Sequence, residues 1–322
     1  MQRQKPLKEE HKMVEACQEL ISLISGSSAI RSASAIMEFL TKIFTIAILA
    51  FPTLVCGEGI PTISSDPQIF GNPLNFWKKL PTGGWDLTRG RNDGAITLPM
   101  TSGGPIIVHP NSTALVIIDM QNFFLHESLR GDPKGRDVVL INMPPAFIKG
   151  FAGDGTSATS FGSDMGTIVV PSSDPSIPAT SSTHGTNQTI QVGKKLMRGS
   201  WNAQPWGPLF EEQVKGVADG TDFYFNKNRL SGMWGPGTPM QTWLQDNSMT
   251  TLFFGGVNVD QCVWGTFLDA YYKGYDVILV DDMSATTSPA SATAMVDYNA
   301  AIDGWRTSSP GVVDALRKAS TH

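Results

Sequence analysis

An α/β fold, with a mostly parallel sheet and helices on both faces, is predicted from three stretches of this 322-residue chain. In the stretch from 250 to 282 an apolar run is followed by a helical segment and a second apolar run, with no room for a hairpin. Strand, helix and strand in that order form one right-handed crossover of a parallel sheet. Thr113–Asp119 (TALVIID) is another apolar run, ending in a carboxylate. Asp222–Lys227 (DFYFNK) is a short aromatic run, ending in an ammonium. Open parallel sheets hold their ligands beyond the carboxyl ends of the strands, so both charges are candidates for a site.

The elements follow from local pattern. Thr251–Val257 is short, apolar and rich in aromatics, which predicts a buried strand. Residues 262–273 predict a helix, with Gly274 as its stop. Tyr275–Val280 predicts the next strand. Cys262 then stands at a helix N-terminus, where the dipole and unpaired N–H groups favour a thiolate and can hold an oxyanion. The simpler expectation for any one cysteine is a buried, inert thiol. Asp119, Lys227 and Cys262 together supply a carboxylate base, a cation and a nucleophile. Leu209–Val217 predicts a helix, with Ser200 as the N-cap of the preceding segment. Residues 290–302 predict the last amphipathic helix.

The flanks read differently. Residues 1–36 are a polar extension, with a short helical pattern near Val14–Ile24. Residues 37–57 combine Lys42, an apolar run from Ile43 to Val55 broken by Pro52, and the small-residue exit Cys56–Gly57. That is the layout of a signal peptide, removed near Gly57, and it predicts a secreted protein with no lasting membrane insertion. The alternatives are an anchor formed by residues 43–55, or a cytoplasmic protein whose first residues belong to an upstream extension. Residues 58–112 predict an irregular arm with a hairpin near Trp77–Pro105, its aromatics Phe76, Trp77 and Trp85 packing on the core. Residues 163–192 predict a Ser/Thr/Pro-rich surface loop. Residues 113–310 form the predicted catalytic domain, and 311–322 a tail.

Composition narrows the function. The chain is 41% hydrophobic and 16% charged, enough for one sizeable core. A net charge of −5 argues against nucleic acid as a partner. None of the five histidines has metal-ligand spacing, and no phosphate-binding glycine motif follows a strand, so neither metal nor organic cofactor is expected.

ALVIIDMQNFF (114–124), FNKNRLSGM (225–233) and GGVNVDQCVWGTFLDAYYKGYDVILVDD (255–282) resemble the isochorismatase-like cysteine hydrolases. The resemblance implies a three-layer, Rossmann-like fold and a catalytic triad of Asp119, Lys227 and Cys262. It also implies a non-proline cis peptide at Val257–Asn258, a substrate pocket lined by Phe124, a small-molecule substrate and self-association. The expected reaction is thiol-dependent hydrolysis of an amide or ureide C–N bond, with isochorismate vinyl ether hydrolysis as the alternative. An activated Cys262 should be alkylated well below the ordinary thiol pKa of about 8.5.

One departure from the family pattern is large. Only residues 120–137 separate Asp119 from the apolar run Val138–Ile141, and they show no helical repeat. A segment of roughly 30 residues, the size of a βα unit, is therefore expected to be absent, leaving a strand edge open beside Asp119. That gives the third expectation, a secreted binding protein with impaired catalysis.

Overall fold

The computed structural model describes residues 12–21, 68–101, 103–129, 162–177, 186–227 and 229–320. Its centre is a four-stranded sheet formed by β6 (Thr113–Ile118), β9 (Thr251–Val257), β10 (Asp276–Ala285) and β11 (Trp305–Thr307). The order is β11-β10-β9-β6 and every pairing is parallel. β9 lies inside this sheet and is buried at all seven positions, as its unbroken apolar run requires.

Alternation along the strands separates the sheet's two faces. Leu252, Phe254, Val277 and Leu279 face one cluster, together with Leu244 of α4 (Pro239–Asp246), Phe267 of α5 (Trp264–Tyr272) and Val296 of α6 (Ala290–Asp303). Phe253, Ile278 and Val280 face the other, together with Val312 and Val313 of α7 (Ser309–Ala319). Helices on both faces of a parallel sheet make the three-layer, Rossmann-like arrangement expected from the crossover pattern.

Several boundaries differ from the sequence reading. The stretch 311–322 is not a tail, and 290–302 is not the last helix. α7 follows, and Asp282 of β10 accepts hydrogen bonds from the Ser309 N–H (2.7 Å) and hydroxyl (2.6 Å) at its first turn. A carboxylate there offsets the unpaired N–H groups and the helix dipole.

The arm is not irregular. β1 (Ile69–Asn72), β2 (Asn75–Lys79), β3 (Trp85–Asp86), β4 (Ile96–Leu98) and β5 (Ile106–Val108) form a second sheet in the order β1-β2-β3-β5-β4. Strands of two to five residues carry too little alternation to be seen locally, and β3 pairs with β5 across the intervening chain. Trp77 and Trp85 do pack against the core.

The two sheets are joined at Asp276. Its carboxylate accepts bonds from Trp77 Nε1 (2.7 Å), Thr251 Oγ1 (2.9 Å) and both terminal nitrogens of Arg89. The Arg89–Asp276 pair is buried on both sides, and the guanidinium also lies 4.8 Å from the Trp77 ring centre.

The described parts of 163–192 are likewise more ordered than a loop. β7 (Thr167–Val170) and β8 (Gln188–Gln191) pair antiparallel, and Val170 and Val192 are buried. Ser200 precedes only a three-residue 3-10 turn, Trp201–Ala203, and makes no capping bond with its side chain. The following helix, α3 (Pro208–Asp219), begins after Gly207.

Residues 12–21 form helix α1, not a polar extension. Its Met13, Val14, Cys17 and Leu20 are buried in the same cluster as α7. Burial, with Asp282 nearby, pushes the Cys17 thiol up to about 12. Residues 37–57, on which the signal-peptide reading rests, lie outside the described residues, as do Val138–Ile141. Among the described residues no helix is long and apolar enough to cross a membrane.

One contact fixes how β6 meets β9. The register runs from Thr113 opposite Thr251 to Ile118 opposite Gly256. Gly256 has φ +127°, and a Cβ there would sit 2.0 Å from the Ile118 carbonyl oxygen. Only glycine permits that approach. Gly256→Ala is expected to cost on the order of 3 kcal/mol, by forced separation and backbone strain. Urea unfolding checks it, and an unchanged midpoint would show that the strands do not approach so closely.

Candidate active site

Asp119, Lys227 and Cys262 come together beyond the carboxyl ends of β6 and β9. Asp119 is the first residue past β6 and turns the chain sharply, with φ 51°. Aspartate tolerates this left-handed conformation better than most residues. Cys262 is the fourth residue of a π-helical turn, Val259–Val263, that leads into α5. The helix therefore does not start at the cysteine, as the sequence pattern implied. A wider turn intervenes, in which the Gln261 and Val263 N–H groups both donate to the Asn258 carbonyl (3.0 and 3.2 Å). The Val257–Asn258 peptide is cis.

Lys227 arrives by an unexpected route. Residues 222–227 are not a strand, and no ladder holds them. Phe223 packs on Trp243 of α4 with ring centres 4.3 Å apart, and Phe225 reaches the same ring at 6.2 Å. Tyr224 donates from its hydroxyl to the Ala203 carbonyl at 3.4 Å, and Gln121 Nε2 donates to the same oxygen at 3.0 Å. Side chains thus anchor this arm where a backbone ladder was expected. Among the described residues nothing pairs with the outer edge of β6, and the arm does not pair with it either.

At the end of the arm Lys227 Nζ lies 2.7 Å from Asp119 Oδ2 and donates to the Arg229 carbonyl at 3.1 Å. Its charge and that of the Asp119 carboxylate both act on the Cys262 thiol. Burial pulls the Lys227 ammonium down, but Asp119 and then the Cys262 sulfur outweigh it, so its net direction is up. The lysine stays charged.

Burial dominates at the thiol. Cys262 is 4% exposed. Burial raises its pKa most, Asp119 raises it further, and Lys227 opposes both without reversing them. Burial and the Asp119 charge therefore favour the neutral thiol over the thiolate that a helix end alone would favour. The helix-end effect is outweighed by loss of solvent around the charge.

Phe124 is half-buried between two apolar clusters and makes no described contact with the three polar groups. The neighbouring Phe123 is fully buried and packs against it, edge to face at 5.0 Å. Trp243, Tyr224 and Gln121 were not singled out in the sequence. Gln121 lies two residues from Asp119 and was within reach of a local reading, whereas nothing local marks Trp243. Among the described residues no group of three or more His, Cys, Asp or Glu side chains is placed to hold a metal. A hollow of about 320 Å3, lined by Thr88, Arg91, Thr250, Lys273 and Tyr275, lies at the amino ends of the strands, away from Cys262.

The fold and these three groups define an α/β protein with carboxylate, ammonium and thiol at the carboxyl end of a parallel sheet. The isochorismatase domain matches residues 154–307, a span that includes Lys227 and Cys262 and begins after Asp119. The ureidoacrylate amidohydrolase RutB of Klebsiella pneumoniae is 25% identical over 213 residues, covering 63% of this chain and 86% of the relative. A cysteine hydrolase from Pseudomonas syringae aligns structurally with a TM-score of 0.42, at 16% identity, over 70% of this chain and 98% of its own. Nicotinamidase PncA from Bacillus subtilis aligns with a TM-score of 0.38, at 18% identity, over 61% and 99%. Residues 154–307 thus match the isochorismatase domain, and this kinship supports a hydrolase.

The buried neutral thiol gives a direct prediction. A raised folded-state pKa means that the thiolate fraction is small at neutral pH and grows as pH rises. Iodoacetamide should therefore label Cys262 slowly at pH 6 and faster towards pH 10, lagging free cysteine throughout. Mass spectrometry of the alkylated peptide checks this, and rapid labelling at pH 6 would contradict it.

Proposed function

We propose that this chain hydrolyses a small amide or ureide C–N bond with Cys262 as nucleophile, Asp119 as general base and then acid, and Lys227 as the cation between them. The observation that carries the reading is one partly buried ammonium, 2.7 Å from the Asp119 carboxylate, whose charge also acts on the Cys262 thiol. The amidohydrolase kinship supports the choice of a C–N bond.

The chemistry starts from the neutral thiol. Asp119 takes the Sγ proton as sulfur attacks the substrate carbonyl carbon, so thiolate need not accumulate. The C–S bond forms and the carbonyl π pair moves to oxygen. Gln261 and Val263 donate to Asn258 in the resting turn, so the oxyanion falls to the remaining N–H groups of the elbow. Collapse expels the nitrogen, protonated by the acid form of Asp119. Water then attacks the thioester, giving its proton to Asp119, and the leaving sulfur recovers a proton. Lys227 remains protonated throughout and offsets whichever anion is present.

Turnover of a panel of small amides and ureides tests this. Cys262→Ala and Asp119→Asn should each lower turnover by about a thousandfold or more. Isochorismate is the discriminating alternative, because vinyl ether cleavage needs an acid and no thiol. Activity on isochorismate that survives in Cys262→Ala, with no amide turnover in the wild type, would replace the C–N reading. Binding without turnover of any panel member would support the non-catalytic reading that the open β6 edge raises.

Secretion is also a proposal. Lys42, the apolar run Ile43–Val55 and the exit Cys56–Gly57 support it. The packing of α1 weighs against removal of everything before Gly57, because Met13, Val14, Cys17 and Leu20 fill the core. The mass of the native protein decides. A start near residue 58 would establish processing there, and a mass retaining residues 12–21 would exclude it.

A further inference from the structure

Thr266 lies one helical turn beyond Cys262 and is fully buried. Its hydroxyl donates to the Cys262 carbonyl at 2.7 Å. A threonine in a helix often bonds in this way to the carbonyl four residues back, with no wider consequence. Here the Thr266 hydroxyl oxygen also accepts the Gly232 N–H at 3.1 Å, from a residue 34 positions away in sequence. Gly232 belongs to the loop that follows Lys227. In that loop Ser231 Oγ accepts the Met233 N–H at 2.9 Å, and Lys227 Nζ donates to the Arg229 carbonyl at 3.1 Å. A continuous path therefore runs from the nucleophile's own backbone, through one hydroxyl, to the loop that holds the ammonium.

The path matters because the Lys227 arm lacks a ladder. Its other anchors lie upstream of the lysine: Phe223 and Phe225 on Trp243, and Tyr224 on Ala203. Downstream, Thr266 ties the loop to the turn that carries Cys262. The charged groups facing the sulfur are Asp119, from the end of β6, and Lys227 itself. Of the two, only the lysine favours thiolate, so its distance from the sulfur is the quantity at stake.

We propose that Thr266 is a positioning residue, whose hydroxyl holds the 229–233 loop against the nucleophile turn and so fixes Lys227 beside the Cys262 sulfur. This rests on the assignment of Lys227 and Cys262 to one site. It adds a residue that touches neither the substrate nor the reacting atoms.

The test needs no substrate. The rate of iodoacetamide labelling of Cys262 is measured from pH 6 to pH 10 in the full chain. The variants are T266V, T266S and K227M, with thermal melting of each to confirm folding. Valine keeps the shape and removes the hydroxyl, whereas serine keeps the hydroxyl. T266V should move the labelling profile to higher pH, with a drop of about tenfold at pH 9, equivalent to about one pK unit. T266S should keep the wild-type profile, and K227M should shift at least as far as T266V. If T266V does not fold, T266A provides the same comparison. A folded T266V with an unchanged or faster profile overturns the proposal while a shifted K227M leaves the triad reading intact. T266S as impaired as T266V also overturns it, since the methyl group would then be the important part. An unshifted K227M removes the lysine's role, and the proposal with it.

Discussion

The site depends on the parallel pairing of β6 with β9, and on how closely the two strands approach where they end. Ile118 and Gly256 lie opposite each other at the last paired position, with a gap too small for any side chain. The next residue on one strand is Asp119. On the other, the chain enters the turn that carries Cys262. A carboxylate and a thiol therefore emerge side by side because two backbones are pressed together behind them. The short-range position of these groups is set by main chain, which is stiffer than any side-chain contact. Lys227 then pairs with the carboxylate at 2.7 Å. Its charge is favourable only because the carboxylate is already there, since burial by itself would disfavour an ammonium.

The three polar residues were legible in the sequence because each ends a recognisable run. TALVIID and TLFFGGV are unmistakably apolar, and charges or thiols after such runs stand at the carboxyl end of a parallel sheet. The third run was misread for a physical reason. Alternating aromatics in FYF fit a strand packed on its neighbours equally well as an unpaired arm whose rings dock on a tryptophan far along the chain. Local sequence reports that Phe223 and Phe225 point the same way, and does not report what they meet. The forces on the Cys262 thiol were only half visible for a related reason. A helix end is visible in sequence, but the depth of burial that outweighs it comes from β9, α5 and the Lys227 loop together.

The N-terminal portion shows the opposite failure, in which more order formed than the pattern promised. Strands as short as Trp85–Asp86 have no readable period, yet they assemble because buried polar partners lie elsewhere. The four buried side chains of α1 were visible as a weak helical pattern, but composition made the region look like a detachable extension. Its cluster mates, Val312 and Val313, lie nearly three hundred residues later in α7.

Asp276 joins partners that are equally remote, and this bears on how the protein is made. Arg89 precedes it by 187 residues and Trp77 by 199. At a synthesis rate of about 5–20 residues per second, the ribosome needs roughly 10–40 s to supply the carboxylate after the guanidinium has been made. Throughout that interval the small N-terminal sheet is without the counter-charge that fixes it to the rest of the molecule. The vectorial order of translation thus leaves the amino-terminal third of the chain as the part exposed longest before it can dock.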